Sequence, residues 1–204
     1  KFPMSLLMAR AIAVRLAEKR NYNYAAAVLI SFDCLLRPSD IRRLTKDCNM
    51  KHQVGWFLAM HRRDKTRTEA AVLCDDPLAT AALEGWFATA KAKDAVVPQS
   101  YEAYLRAFKI AAADLGLSHF NLTPHCCRHG GAVDRVYKRG HDEKVVQRFG
   151  RWESEQAFRN YLQLSKVQQM EQELSEAKKQ VLIGLAQQLP CQSTIWRTRF
   201  QQNK

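Results

Sequence analysis

The run Thr123-Pro124-His125-Cys126-Cys127-Arg128-His129 places an imidazole and a guanidinium about one helical turn apart. Pro124 suits the first position of a helix and Thr123 the cap before it, so this box opens a helix. A positive imidazole, a planar guanidinium fork and a helix N-terminus together make a seat for a phosphate. Gly150-Arg151-Trp152 and then Tyr161 follow downstream. Beside a phosphate seat, that tyrosine becomes a candidate nucleophile. Enzymatic phosphoryl transfer is largely positioning plus neutralisation of charge on the non-bridging oxygens. A metal-free version needs several fixed cations, a nucleophile and a proton donor for the leaving oxygen. Arg37 at a helix junction, braced by Asp40, and Lys65 in the run Arg62-Arg63-Asp64-Lys65-Thr66-Arg67 complete such a set. Taken singly, each has a plainer reading: a turn arginine, a solvated charge run, a core histidine, a packed aromatic.

Helices must carry most of these groups. Residues 4–19 and 24–36 read as helices, the second largely buried. A short helix follows with Ser39 as its N-cap. Strand-like runs at 54–60 and 70–74 flank the charged connection 61–69, which predicts a hairpin or small sheet with a basic tip. Asp76-Pro77 opens a helix over 78–93, and Ser100 caps another over 101–115. The box helix runs from 124 towards 139 and stops at Gly140, with Gly130-Gly131 as a weak point that predicts a bend. Short helices at 142–149 and 155–164 surround the Gly-Arg-Trp turn, and Tyr161 falls in the second. Residues 166–189 read as one polar helix with a narrow stripe of Val167, Met170, Leu174, Ala177, Val181, Leu185 and Leu189, ended by Pro190. The fold class expected is mainly α with a small antiparallel β-sheet (α+β).

In this order the residues resemble the catalytic domain of the tyrosine recombinases, also called the phage integrase family, over about residues 24–164. Cys34-Leu35-Leu36-Arg37-Pro38-Ser39-Asp40-Ile41-Arg42-Arg43-Leu44 resembles the family's first arginine box. Asp64-Lys65-Thr66-Arg67 resembles the hairpin that carries its lysine. Thr123 to His129 is similar to its Thr-Pro-His-x-x-Arg-His box, Gly140 to Gln147 to the segment that leads to the fifth position, and Trp152 fills that position. Tyr161 stands at the spacing of the nucleophile. The resemblance implies catalytic roles for Arg37, Lys65, His125, Arg128, Trp152 and Tyr161, with Asp40 and His129 in support and Arg62, Arg63 and Arg67 on DNA. It implies a 3′-phosphotyrosine intermediate, no metal, ATP or other cofactor, double-stranded DNA as partner, and a homotetramer on that DNA. Residues 1–165 are then the catalytic domain, and 166–204 a helical tail that docks on a neighbouring protomer or packs back on its own. The family's N-terminal clamp domain is expected to be missing from this stretch. Two departures stand out: Leu36 replaces a glycine near the first arginine, and Arg151 separates Gly150 from Trp152. A type IB topoisomerase and a domesticated, non-cleaving DNA-binding module are the rival readings.

Composition agrees with a polyanionic partner. Lys and Arg number 32 against 20 Asp and Glu, giving +12 and a pI near 9.6. That favours nucleic acid over an anionic membrane surface. The six cysteines form no C-x-x-C pair and read as reduced thiols of an intracellular protein. Cys126 and Cys127, adjacent on a helix, point in different directions and make no zinc site with His125 and His129. The longest apolar run, 25–32, is too short to span a bilayer. The expected location is intracellular and DNA-associated: the nucleus in a eukaryote, the cytoplasm or nucleoid in a bacterium. The opening at Lys1 without a signal pattern reads as a fragment.

Overall fold

In the computed structural model, which describes residues 3–60 and 70–202, the centre is α2 (Tyr22–Asp33), packed by α1 (Leu6–Glu18). Every residue from 25 to 30 is buried, as befits a helix apolar on all sides. Its C-terminus closes in a Schellman turn: the Leu36 N–H donates to the Ser31 carbonyl (3.1 Å), and Leu35 takes the left-handed conformation (φ 51°). The next helix, α3 (Pro38–Arg43), begins earlier than expected, with Arg37 rather than Ser39 as its cap. Pro38 supplies a helical φ and has no N–H to satisfy, and the Asp40 carboxylate accepts the Arg37 N–H at 3.0 Å.

The sheet has three antiparallel strands in the order β1 (Asn49–His52), β2 (Gly55–Met60), β3 (Ala70–Cys74), with Met50 opposite Phe57 and Phe57 opposite Leu73. β1 was not legible because it is a polar, mostly exposed edge strand. The tip with Arg62, Arg63, Lys65 and Arg67 lies outside the described residues. Asp76 caps α4 (Pro77–Phe87), its Oδ1 accepting from the Leu78 and Ala79 N–H groups at 3.0 and 3.1 Å. That helix stops before residue 93 because the chain beyond it pairs with the segment after α3. The Asp47 N–H donates to the Ala92 carbonyl (3.0 Å), and the Val96 N–H to that of Leu44 (3.1 Å).

α5 (Tyr101–Asp114) is capped by Ser100 as expected. α6 (His125–Val133) runs unbroken through Gly130 and Gly131, and the irregularity comes later, in a π-helical turn (Asp134–Lys138). The two glycines serve close approach. A Cβ on Gly131 would lie 2.1 Å from the Phe32 carbonyl oxygen, and one on Gly130 1.8 Å from that of Met4. Gly140 (φ 71°) ends the run. After α7 (Glu143–Phe149) and α8 (Glu155–Arg159) the chain turns, so Tyr161 stands just beyond α8 and not within it.

The tail is not one helix. α9 (Leu164–Glu173) breaks at Leu174, and Ser175 caps α10 (Glu176–Ala186). The break shifts the buried face: Ala177 and Val181 are exposed, while Leu182, outside the expected stripe, is buried. α10 packs on α1, and a further helix, α11 (Ser193–Gln201), packs on α4. Trp196 is fully buried there, donating Nε1–H to the Pro190 carbonyl (3.0 Å). Among the described residues no helix is long and apolar enough to cross a membrane.

Candidate active site

Arg128 is the centre of the site and has no solvent exposure. Its Nη1–H donates to the carbonyl of Leu35 and its Nη2–H to that of Gly150. Nε has no hydrogen-bond partner among the described residues. The guanidinium carbon lies 4.0 Å from the Trp152 ring centroid and 5.5 Å from that of Tyr161. Burial, with Arg37 and then Arg151 nearby, pushes Arg128 from the usual arginine range down to about 9. A guanidinium so disfavoured as a cation gains most when an anion arrives.

Tyr161 sits against three aromatic groups. His129 stacks on it (centroids 4.0 Å, planes 19° apart), and Trp152 meets it edge-on at 4.9 Å. His125 Nε2 and the Tyr161 hydroxyl are 3.3 Å apart, which makes His125 an available proton partner. His125 and His129 reach the same tyrosine because four helical positions bring them to one face of α6. The Tyr161 N–H donates to the Phe158 carbonyl (2.8 Å), and Phe158 is buried against Trp152 at 5.0 Å. Leu35, Ala132, Val146, Trp152 and Phe158 form a small apolar cluster beneath the site.

The turn that brings Trp152 in is tightly built. A Cβ on Gly150 would lie 1.6 Å from the Trp152 ring, so only glycine fits there. Gln147 brackets the tryptophan: its carbonyl accepts the Trp152 N–H (3.1 Å), and its Nε2 donates to the Trp152 carbonyl (3.3 Å). Arg151 has φ 59° and pairs through Nη2 with Asp40 Oδ2 at 2.7 Å. Burial lowers the Arg151 pKa; Asp40 opposes that and the positive Arg37 adds to it. Arg37 is half-buried at the start of α3.

Arg37, Asp40, His125, Arg128, His129, Trp152 and Tyr161 therefore converge, tied by contacts that span 93 and 111 positions of the chain. Lys65, Arg62, Arg63 and Arg67 lie outside the described residues. Sequence reasoning missed Gln147 and Arg151 as parts of the site. For Gln147 the only signal was its place in the segment leading to Trp152; for Arg151 it was the departure itself.

A second buried arginine cluster adjoins the first. Arg135 donates from Nη2 to Asp33 Oδ1 (3.0 Å) and Asp75 Oδ1 (3.2 Å), and Arg139 pairs with Asp33 (3.3 Å) and Asp134 (2.8 Å). Asp33 Oδ2 accepts the N–H groups of Asp75 and Asp76. The ligand atoms of Asp33, Cys34 and Cys74 lie within 4.8 Å of one another. The aspartate, however, already has its oxygens engaged, and burial pushes the Cys34 thiol well up. The cysteines of the box are structural. Cys126 Sγ accepts the Thr123 N–H (3.4 Å), and Cys127 is buried in the core.

The model of the phage integrase family matches residues 5–168, and the chain belongs to that family. It is a tyrosine recombinase catalytic domain. Its general role is site-specific DNA recombination, which entails binding DNA. The match takes in α1, which the motifs alone did not reach. No curated protein matches the chain.

Proposed function

We propose that the chain cuts and rejoins DNA through Tyr161, forming a 3′-phosphotyrosyl link and a free 5′-hydroxyl without metal or ATP. The observation that carries this is the Tyr161 hydroxyl 3.3 Å from His125 Nε2, with the Arg128 guanidinium 5.5 Å from the tyrosine ring. The hydroxyl attacks phosphorus while His125 assists with its proton. Arg37 and Arg128 hold the non-bridging oxygens, a task suited to a guanidinium fork. Trp152 walls the pocket, and His129 keeps the tyrosine ring in place. Lys65 protonates the departing 5′-oxygen, and Arg62, Arg63 and Arg67 contact DNA. The new ester keeps the energy of the broken bond, so the free hydroxyl of another strand restores a phosphodiester by the reverse steps.

The proposal includes a homotetramer on DNA, with residues 1–165 as its catalytic unit and 166–204 as a helical tail. α10 and α11 engage their own body through Leu182, Leu185 and Trp196, which favours a tail that packs in cis. The test is a duplex nicked beside the cleavage point, so that the short 5′ product diffuses away and the covalent complex is trapped. Wild type should form an adduct that resists denaturation. Tyr161→Phe should form none while still binding DNA. No adduct from wild type on its cognate site would count against strand cleavage.

A further inference from the structure

Arg151 occupies a position where glycine would be at ease. At φ 59° its backbone is in the left-handed region, which strains a residue with a side chain. A residue persists there when its surroundings over-determine it. The surroundings in this case are specific. The Arg151 side chain is only 11% exposed, and its Nη2 lies 2.7 Å from Asp40 Oδ2. That same oxygen accepts the backbone N–H of Arg37 at 3.0 Å. One carboxylate oxygen thus joins the residue before Trp152 to the backbone of the first phosphate-seat arginine. Arg128 makes a parallel tie between the same two segments, through the carbonyls of Leu35 and Gly150.

We propose that Arg151 is a positioning residue for strand cleavage. Acting through Asp40, it fixes Arg37 against the Gly150–Trp152 turn, so the arginines and the segment leading to Tyr161 keep one geometry when DNA binds. The proposal rests on the strand-cleavage reading above. A single charged hydrogen bond carries the link, so a lysine, which is also cationic and long, serves for most of it. Arg151 is not assigned a contact with the phosphate, and its removal acts on the cleavage rate rather than on DNA affinity.

The experiment is single-turnover cleavage of the nicked duplex at saturating DNA by wild type, Arg151→Gly, Arg151→Lys, Asp40→Asn and the Asp40→Asn/Arg151→Gly double variant. Dissociation constants are measured alongside. Glycine keeps the left-handed backbone, so the loss it reports is that of the side chain. Arg151→Gly should cleave about 10²-fold more slowly, the scale of a small misplacement of reacting groups. Its DNA affinity should be unchanged, and Arg151→Lys should recover most of the rate. The double variant should be no slower than the slower single, because both remove one link. Wild-type cleavage by Arg151→Gly overturns the proposal, as do losses that multiply in the double variant or a fall in affinity that accounts for the slower rate. If the glycine variant does not fold, Arg151→Gln is compared with Arg151→Lys. A slow glutamine variant beside an active lysine variant supports the proposal, and equal rates overturn it. If wild type forms no adduct, the strand-cleavage reading fails first and this one with it.

Discussion

Arg128 and Arg135 lie about two turns apart on one helical run, both buried, yet their surroundings differ in kind. Arg135 and Arg139 share Asp33 and Asp75, Arg139 also pairs with Asp134, and the Arg135 guanidinium covers the Phe149 ring at 4.2 Å. Every positive group there has a carboxylate. Arg128 shares its pocket with Arg37 and Arg151, and its own N–H groups go to two backbone carbonyls. The carboxylate at hand, Asp40, is bonded to Arg151 and to the Arg37 backbone. A buried cation that owns its counter-ion holds a fold together. A buried cation left to carbonyls is ready for an anion that comes from outside.

Three substitutions can break or sharpen this contrast. Arg128→Ala should lower DNA cleavage by about 10³-fold or more, the scale of losing a fixed cation from phosphoryl transfer. In urea unfolding it should cost less stability than Arg135→Ala. Arg135→Ala should do the opposite, destabilising the fold by about 3–5 kcal/mol because the buried Asp33 carboxylate loses its closest cation. If Arg128→Ala proves the more destabilising of the two while cleavage persists, the division of roles is wrong. Gly131→Ala comes third. Its Cβ would push on the Phe32 carbonyl, parting α6 from α2 at a cost of about 1–3 kcal/mol in the same unfolding measurement. A neutral outcome would mean that α6 can shift without loss, and that the glycines do not set its distance from α2.

The readable parts of the site were those set by local physics. The box helix starts one residue later than Thr123-Pro124 implied, at His125 with Pro124 in the cap position and no side-chain cap, yet the spacing of His125, Arg128 and His129 puts them within reach of one tyrosine. Boundaries failed where non-local pairing decided them. α4 ends early because residues 92–96 pair with residues 44–47. The tail helix breaks because Ser175 caps a second helix whose apolar face is rotated onto α1. The diglycine was misread as weakness since propensity does not show what lies against a helix, here the carbonyls of Met4 and Phe32. Arg151 was out of reach for the same reason: Asp40 lies 111 residues away in the chain.

The central claim is that Tyr161, held between His125, His129 and Trp152, is the nucleophile. The most direct measurement is mass spectrometry of tryptic peptides from the trapped protein–DNA adduct, with the DNA end groups determined in parallel. The account predicts a nucleotide remnant on Tyr161 within the peptide spanning residues 160–166, joined to a 3′-phosphate, with a free 5′-hydroxyl on the released strand. A remnant on another residue, such as the exposed Tyr137, or a link to a 5′-phosphate would contradict it.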